Sequence, residues 1–446
     1  MTLDLRFWWS RLNANYWFYP ALFTALSVLL AMACIWADRN GWAAFLNDVS
    51  WVVPARPQGA SDMLQVIAGS TIAVASTVFS ITIVAVSFAS GTYGPRLLTN
   101  FMEDKGNQLS LATFIGTFVY ALVVLRSVRA EDESTANDAV ATALPGFVPQ
   151  LSLLVAFALM AVSVAVLVFF LNHIPSSIRI NKVIHGIGAR LIRAIATTYP
   201  EEGGNDGPAH RPRGKPLRAR KPGYIRLIDF ADFQHLAAEG DFEVTLLVRT
   251  GDFVHTGMPM AEIANGDASD EVIEHLHACY TQGFSRTPEQ DPEFLIDELV
   301  EIGLRALSPG INDPFTAVTA LHWLGAATAD LGRRRLVKDV AGNGNAGSPD
   351  PDHKCRVHPV ADDFRHFVQR GFGALRSAVA TSPIASKIML DALRDAAITL
   401  DARNRRELLL GEAAQLREQA RLALEGPDRR EVEDRFDAIL DDFTRD

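Results

Sequence analysis

The sequence predicts an α-helical integral membrane protein with four transmembrane helices, followed by an α+β region that joins a small β-module to a helical bundle. Three observations predict it. Four uncharged apolar stretches lie between Trp17 and Leu171. From Gly223 the apolar pattern shortens into strand-like runs broken by Gly and Asp turns. Beyond residue 268 it returns to a helical period and keeps it to the C-terminus. The totals agree: 48% of the 446 residues are hydrophobic, high for a soluble protein and low for one lying wholly in lipid.

The four stretches are Trp17 to Trp36, Met63 to Phe88, Leu109 to Leu125 and Leu151 to Leu171. Each approaches or exceeds the ~20 apolar residues that cross a bilayer, the third being the shortest. None holds Asp, Glu, Lys or Arg. Trp17, Tyr19 and Trp36 flank the first span, where aromatic belts form. A cleaved lipoprotein signal ending at Cys34 is a rival reading of this segment. Met32 fits that pattern poorly, and three more spans follow.

Lys and Arg set the expected orientation. Arg6 and Arg11 precede span one, Arg96 and Lys105 follow span two, and Arg179, Lys182, Arg190 and Arg193 follow span four. The other two loops mix Arg with Asp and Glu. The expectation is a multi-pass protein of the bacterial inner membrane, with both termini in the cytoplasm and the lipid bilayer as its first partner. A net charge of -10 argues against a nucleic-acid partner. The three cysteines, Cys34, Cys279 and Cys355, are too scattered for a disulfide framework.

Span two carries small and hydroxyl residues at helical spacing: Gly69, Ala73, Ser76, Ser80, Ser87 and Ser90. The bland reading is a helix-packing stripe, since small residues let backbones approach. The sharper reading is a pore lining, with several copies around a wet axis. A homo-oligomer is the expected partner, and the pore reading requires one. A proton-driven carrier would need an ionisable group inside the membrane, and these spans hold none.

The chain divides into a transmembrane domain at 1–175, a basic amphipathic helix and flexible linker at 176–222, a β-rich module at 223–268 and a helical region at 269–446 with a disordered loop at 341–358. Arg179, Lys182, Arg190 and Arg193 line one side of the amphipathic helix, which packs on its own domain or meets anionic headgroups. Val248 to Met260 is similar to the swinging-arm carrier domains for biotin and lipoate, which implies a small β-fold. The carrier lysine is missing, because no Lys occurs between Lys221 and Lys338, so no covalent cofactor is expected.

Two clusters imitate metal sites. His275 and His277 on one helix point roughly 200° apart, so with Glu274 and Cys279 they cannot share an ion. His353, Cys355 and His358 fall in the predicted disordered loop. No metal, no other cofactor and no catalytic residue is assigned. Nucleophile-elbow, P-loop and dinucleotide fingerprints are missing, which disfavours an enzyme.

The stretch from Arg286 to Gly325 predicts a helical hairpin. Asp291 caps the first helix with Pro292 at its first position, and Ser308, Pro309 and Gly310 end it. Asp313 and Pro314 repeat the start signal. Arg305 and Asn312 exceed what capping needs. Arg305 is expected to pair with a nearby carboxylate such as Asp313. An anion site at the helix start is disfavoured by the charge of Asp313.

Two longer stretches, Ala85 to Arg129 and Arg286 to Val318, resemble the signatures of a bacterial membrane-protein family, domain of unknown function 2254. The resemblance implies an integral inner-membrane protein and no particular reaction. Two function classes follow: an oligomeric pore or channel-like protein with a cytoplasmic regulatory or assembly domain, or a membrane-anchored sensor or scaffold without a pore.

Overall fold

A computed structural model describes residues 15–42, 56–94, 104–129, 147–199, 201, 212–336 and 356–444. The chain forms two compact units, Met1–Arg179 and Ile180–Asp446. Among the described residues, four helices of the first unit are long and apolar enough to cross a membrane. They are α1 (Phe18–Arg39), α2 (Pro57–Tyr93), α3 (Lys105–Leu125) and α4 (Gln150–Ser177).

Helix α3 is the hub, packing against α1, α2 and α4. Its central place explains how a short span bearing Asn107, Gln108, Ser110 and Thr117 remains in the membrane unit, since all four are buried by neighbours. Thr117 and Ser163 share a hydrogen bond of 3.0 Å between α3 and α4. Gly116 lets α1 approach α3 closely. A Cβ there would stand 2.8 Å from Ser27 Oγ and 3.5 Å from Phe23 Cβ.

Carboxylates staple both ends of this bundle. Asp38, at the end of α1, accepts from the Leu151 and Ser152 backbone N–H groups at 2.9 and 3.0 Å and from Ser152 Oγ at 2.7 Å. It thereby caps the first turn of α4, whose N–H groups have no partner inside the helix. At the opposite end Asp104 caps α3 through the Gly106 N–H at 2.8 Å. Its other oxygen stands 2.8 Å from His173 Nε2 on α4.

The second unit opens with α5 (Ile180–Thr198), an amphipathic helix whose Ile184, Ile187, Leu191 and Ile195 are buried. Strands β1 (Lys215–Arg218), β2 (Gly223–Ile228), β3 (Glu243–Leu246), β4 (Phe253–Val254), β5 (Pro259–Ala264) and β6 (Tyr280–Gly283) follow, with α6 (Phe230–Glu239) and α7 (Asp270–Ala278) between them. Next come α8 (Pro292–Ala306), α9 (Pro314–Gly332) and β7 (Val357–His358). The last part is α10 (Phe364–Val368), a π-helical turn (Gln369–Gly373), α11 (Ala374–Val379), α12 (Pro383–Ile398), α13 (Arg403–Ala423) and α14 (Gly426–Thr444).

The strands form two sheets, ordered β1-β5-β3-β7 and β4-β2-β6. Phe233, Phe242, Leu246, Met260 and Leu276 fill the core between them and the two short helices. The sheets reach beyond the 223–268 segment. β1 lies in the segment read as linker, and β6 and β7 in the segment read as helical. Much of the 341–358 loop lies outside the described residues, but Val357 and His358 pair parallel to Val244 and Thr245 of β3. So His358 is strand, not loop, and its Nε2 meets Glu243 at 2.8 Å.

Helix α5 packs against α8 and α9. Gly188 lies directly under the Trp323 ring, where a Cβ would collide with the ring itself. Replacing Gly188 by Ala must therefore push α5 off α9, because an indole ring cannot yield as a flexible chain end does. Overpacking of this kind costs ~1–3 kcal/mol. The G188A protein in detergent is expected to unfold several degrees below the parent by differential scanning fluorimetry, and an unchanged midpoint would refute this packing.

Candidate functional site

The hydroxyl stripe of span two lies on the side of α2 that the described residues leave uncovered. Leu64, Ile67, Ala68, Thr71, Ala75, Val78 and Thr82 face the rest of the unit and are buried. Gly69, Ala73, Ser76, Ser80 and Ser87 are exposed, and Ser90 is half-buried. Ser76 Oγ donates to the Ile72 carbonyl at 3.0 Å and Ser80 Oγ to the Ser76 carbonyl at 2.9 Å. Bonds back to the preceding turn satisfy these hydroxyls without water or a second helix.

The most densely connected polar site lies in the second unit, where the hairpin meets the β-module. The local sequence RTPEQDPEFLIDELV builds it. Gln290 takes a left-handed backbone, φ 55°. Its side chain then clasps β2, with Oε1 accepting from the Ile228 N–H at 3.1 Å and Nε2 donating to the Ile228 carbonyl at 3.3 Å. Thr250 Oγ1 donates to the Gln290 carbonyl.

The next residue, Asp291, is 2% exposed. Its Oδ1 accepts from the Phe294 N–H at 3.1 Å, which caps α8. Its Oδ2 accepts from Arg286 Nη2 at 2.7 Å and Nε at 3.0 Å. Gly251, at φ 93°, brings the β-module turn against this carboxylate, and a Cβ there would overlap Asp291 Oδ2. Only glycine tolerates both the conformation and the contact.

The network continues into the π-helical turn. Arg286 Nη1 pairs with Asp297 at 2.5 Å. Arg370 Nε reaches Asp297 at 2.7 Å and its Nη1 reaches Glu293 at 2.7 Å. His366 Nε2 stands 3.2 Å from Glu293. The wide turn interrupts what would otherwise be one helix from Phe364 to Val379, at the point where Arg370 leaves it. Beside this cluster Arg249 Nε pairs with Asp362 at 2.9 Å, and Tyr199 Oη donates to the other Asp362 oxygen at 2.6 Å.

Within the cluster three carboxylates, Asp291, Glu293 and Asp297, face two guanidiniums, Arg286 and Arg370. Asp291 is the least exposed of the three carboxylates. Burial pushes the Asp291 carboxyl up to about 6, against the opposing pull of Arg286. Burial likewise raises the Tyr199 phenol, with Asp362 adding to the effect.

The hairpin geometry separates capping from the rest. Asp313 Oδ1 accepts from the Thr316 N–H at 3.2 Å and Oδ2 from Thr316 Oγ1 at 2.6 Å. Arg305 stands 3.4 Å from Glu301, one turn back on its own helix. Asn312 has φ 50°, a left-handed position that Asn tolerates better than most residues. Ser308 accepts the Ile311 and Asn312 N–H groups around Pro309 and Gly310.

Among the described residues no three His, Cys, Asp or Glu gather as metal ligands. Cys279 is buried and donates to the His275 carbonyl. Glu274 pairs with Arg220 at 2.6 Å. His353 and Cys355 lie outside the described residues.

The sign of the Asp291 effect is fixed by its direction. A carboxyl whose folded value lies above the unfolded 3.8 favours the folded state when protonated, so stability falls as pH rises from 3.8 towards about 6. In urea titrations of the full chain across that window, Asp291→Asn is expected to remove this decline. A slope equal to the parent's would show that Asp291 does not carry it.

A family model described as a predicted membrane protein, domain of unknown function 2254, matches residues 13–395. An uncharacterized protein of Mycobacterium tuberculosis strain H37Rv is 31% identical over 332 residues, covering 70% of this chain and 61% of that protein. An uncharacterized protein of Mycobacterium bovis shows the same identity and coverage. The chain thus spans less than two thirds of the length of these curated relatives. No solved structure matches. With its four apolar helices and a family match over most of its length, the chain belongs to the membrane-protein family domain of unknown function 2254.

Proposed function

We propose that this is an oligomeric assembly protein of the inner membrane, in which copies meet through the uncovered face of α2 and the second unit is a rigid cytoplasmic module. The observation that carries the proposal is the position of Gly69, Ala73, Ser76, Ser80 and Ser87 on the side of α2 that the described residues leave open. Small residues allow helices to approach closely, and the backbone-bonded hydroxyls add no unmet polarity at such a contact. The Lys/Arg bias supports both termini in the cytoplasm. The ion-paired joint supports a rigid module, since Arg286 bridges Asp291 and Asp297 and Arg370 bridges Asp297 and Glu293.

A pore is the second reading. Ser76, Ser80 and Ser87 share one open face, and a ring of copies could wet it. Single cysteines at these positions separate the readings in native membranes. The assembly reading expects disulfide cross-links between copies, poor labelling by a water-soluble maleimide, and loss of oligomer mass in Ser80→Leu. Ready labelling of all three positions, with ion flux in liposomes that Ser80→Leu blocks, would replace it with the pore. Cysteines that neither cross-link nor label would place the stripe against lipid and overturn both.

A further inference from the structure

We propose that the outward face of the β4-β2-β6 sheet docks on an anionic lipid surface. Along β2, Ile225 is buried while Tyr224 and Arg226 are half-exposed, so the alternation puts these two on the outer face. Phe253 of β4 is the cross-strand partner of Tyr224, and the rings meet edge to face at 5.0 Å. His255 extends the row, 5.2 Å from Phe253. Arg226 lies across Gly283 of β6, where a Cβ would strike its side chain. Phe284 follows at once and is 94% exposed. A Phe this exposed at the end of a strand packs against none of the described residues.

The loop after β1 supplies positive charge beside these rings, and the acid next to Phe253, Asp252, is engaged by the Arg249 N–H at 2.7 Å. Arg218 donates to the Gly257 carbonyl, which ties the basic loop after β1 to the turn carrying Met258. Arg220 is neutralised by Glu274. Among the described residues Lys221 and Arg226 have no acidic partner, and no acid occurs between Gly214 and Ile228. Local cations of this kind run against a chain whose net charge is -10. Exposed aromatic rings with adjacent Lys and Arg suit a headgroup region, where rings enter the interface and cations meet phosphate. The same chemistry serves single-stranded nucleic acid. Lipid is favoured because the four spans of the same chain keep a bilayer at high effective concentration, as a tether does.

The test uses the full chain in nanodiscs. Thr256→Cys, in the exposed turn, carries an environment-sensitive dye in a Cys355→Ser background; Cys34 and Cys279 are buried. Discs of phosphatidylcholine are compared with discs that also hold phosphatidylserine. The expected result is blue-shifted emission with phosphatidylserine only, reversed by salt and lost in the double variant Lys221→Glu, Arg226→Glu at an unchanged melting temperature. Phe253→Ser is expected to weaken the shift with the charges intact. Equal emission in both discs, or a shift that survives the double variant, would overturn the proposal. A shift on adding oligouridylate to phosphatidylcholine discs, with none for phosphatidylserine, would overturn it in favour of nucleic acid.

Discussion

Lipid as solvent is the constraint on which the first unit depends. A backbone N–H or carbonyl has no water to turn to in hydrocarbon, so the chain must close every such bond within its own helices. Five hydroxyls of α2 obey the same rule. Thr71, Ser76, Thr77, Ser80 and Thr82 each bond to a carbonyl of the preceding turn. At the starts of α3 and α4, where N–H groups are left over, a carboxylate meets them. Asp38 does this for α4 and Asp104 for α3, so charge appears at the ends of the spans and is absorbed there.

The second unit answers a different constraint. Its β-module and its helices have separate apolar faces, and the segment from Arg286 to Asp297 joins them. Gln290 binds the edge of β2 while Asp291 caps α8. Arg286 and Arg370 then compensate three carboxylates that crowd one place. Breaking one partner of such a buried set leaves a charge without compensation, which costs more than the pair contributes when whole. The left-handed Gln290 and Gly251 are what allow the two segments to come so close.

Much of this was legible in local sequence. Uncharged runs of sufficient length announced the spans, and the repeated Asp-Pro announced two helix starts, because both signals act within a few residues. The period of the α2 stripe was also legible, but not which side its own chain would cover. Long-range partners left no local trace. Asp38 caps a helix 113 residues later, and Gln290 clasps a strand 62 residues earlier. In sequence Asp38 reads as a loop charge, and Gln290 carries no signal of its own. Asn312, read as surplus to capping, holds a left-handed turn residue. β7 escaped notice because it spans two residues beside a glycine-rich run, and it is a strand only because β3 offers an edge. The sequence resemblance to carrier domains pointed to strands, yet their order in two sheets depends on pairings that turns alone do not specify.

The first unit depends on hydrocarbon enclosing α1 to α4. Extraction of bacterial membranes with alkaline sodium carbonate tests this most directly, since high pH strips proteins held by charge or by a partner and leaves spanning helices in place. The full-length chain, followed by an epitope tag, is expected to stay wholly in the membrane pellet and to enter solution only with detergent. Its release into the carbonate supernatant would contradict the account.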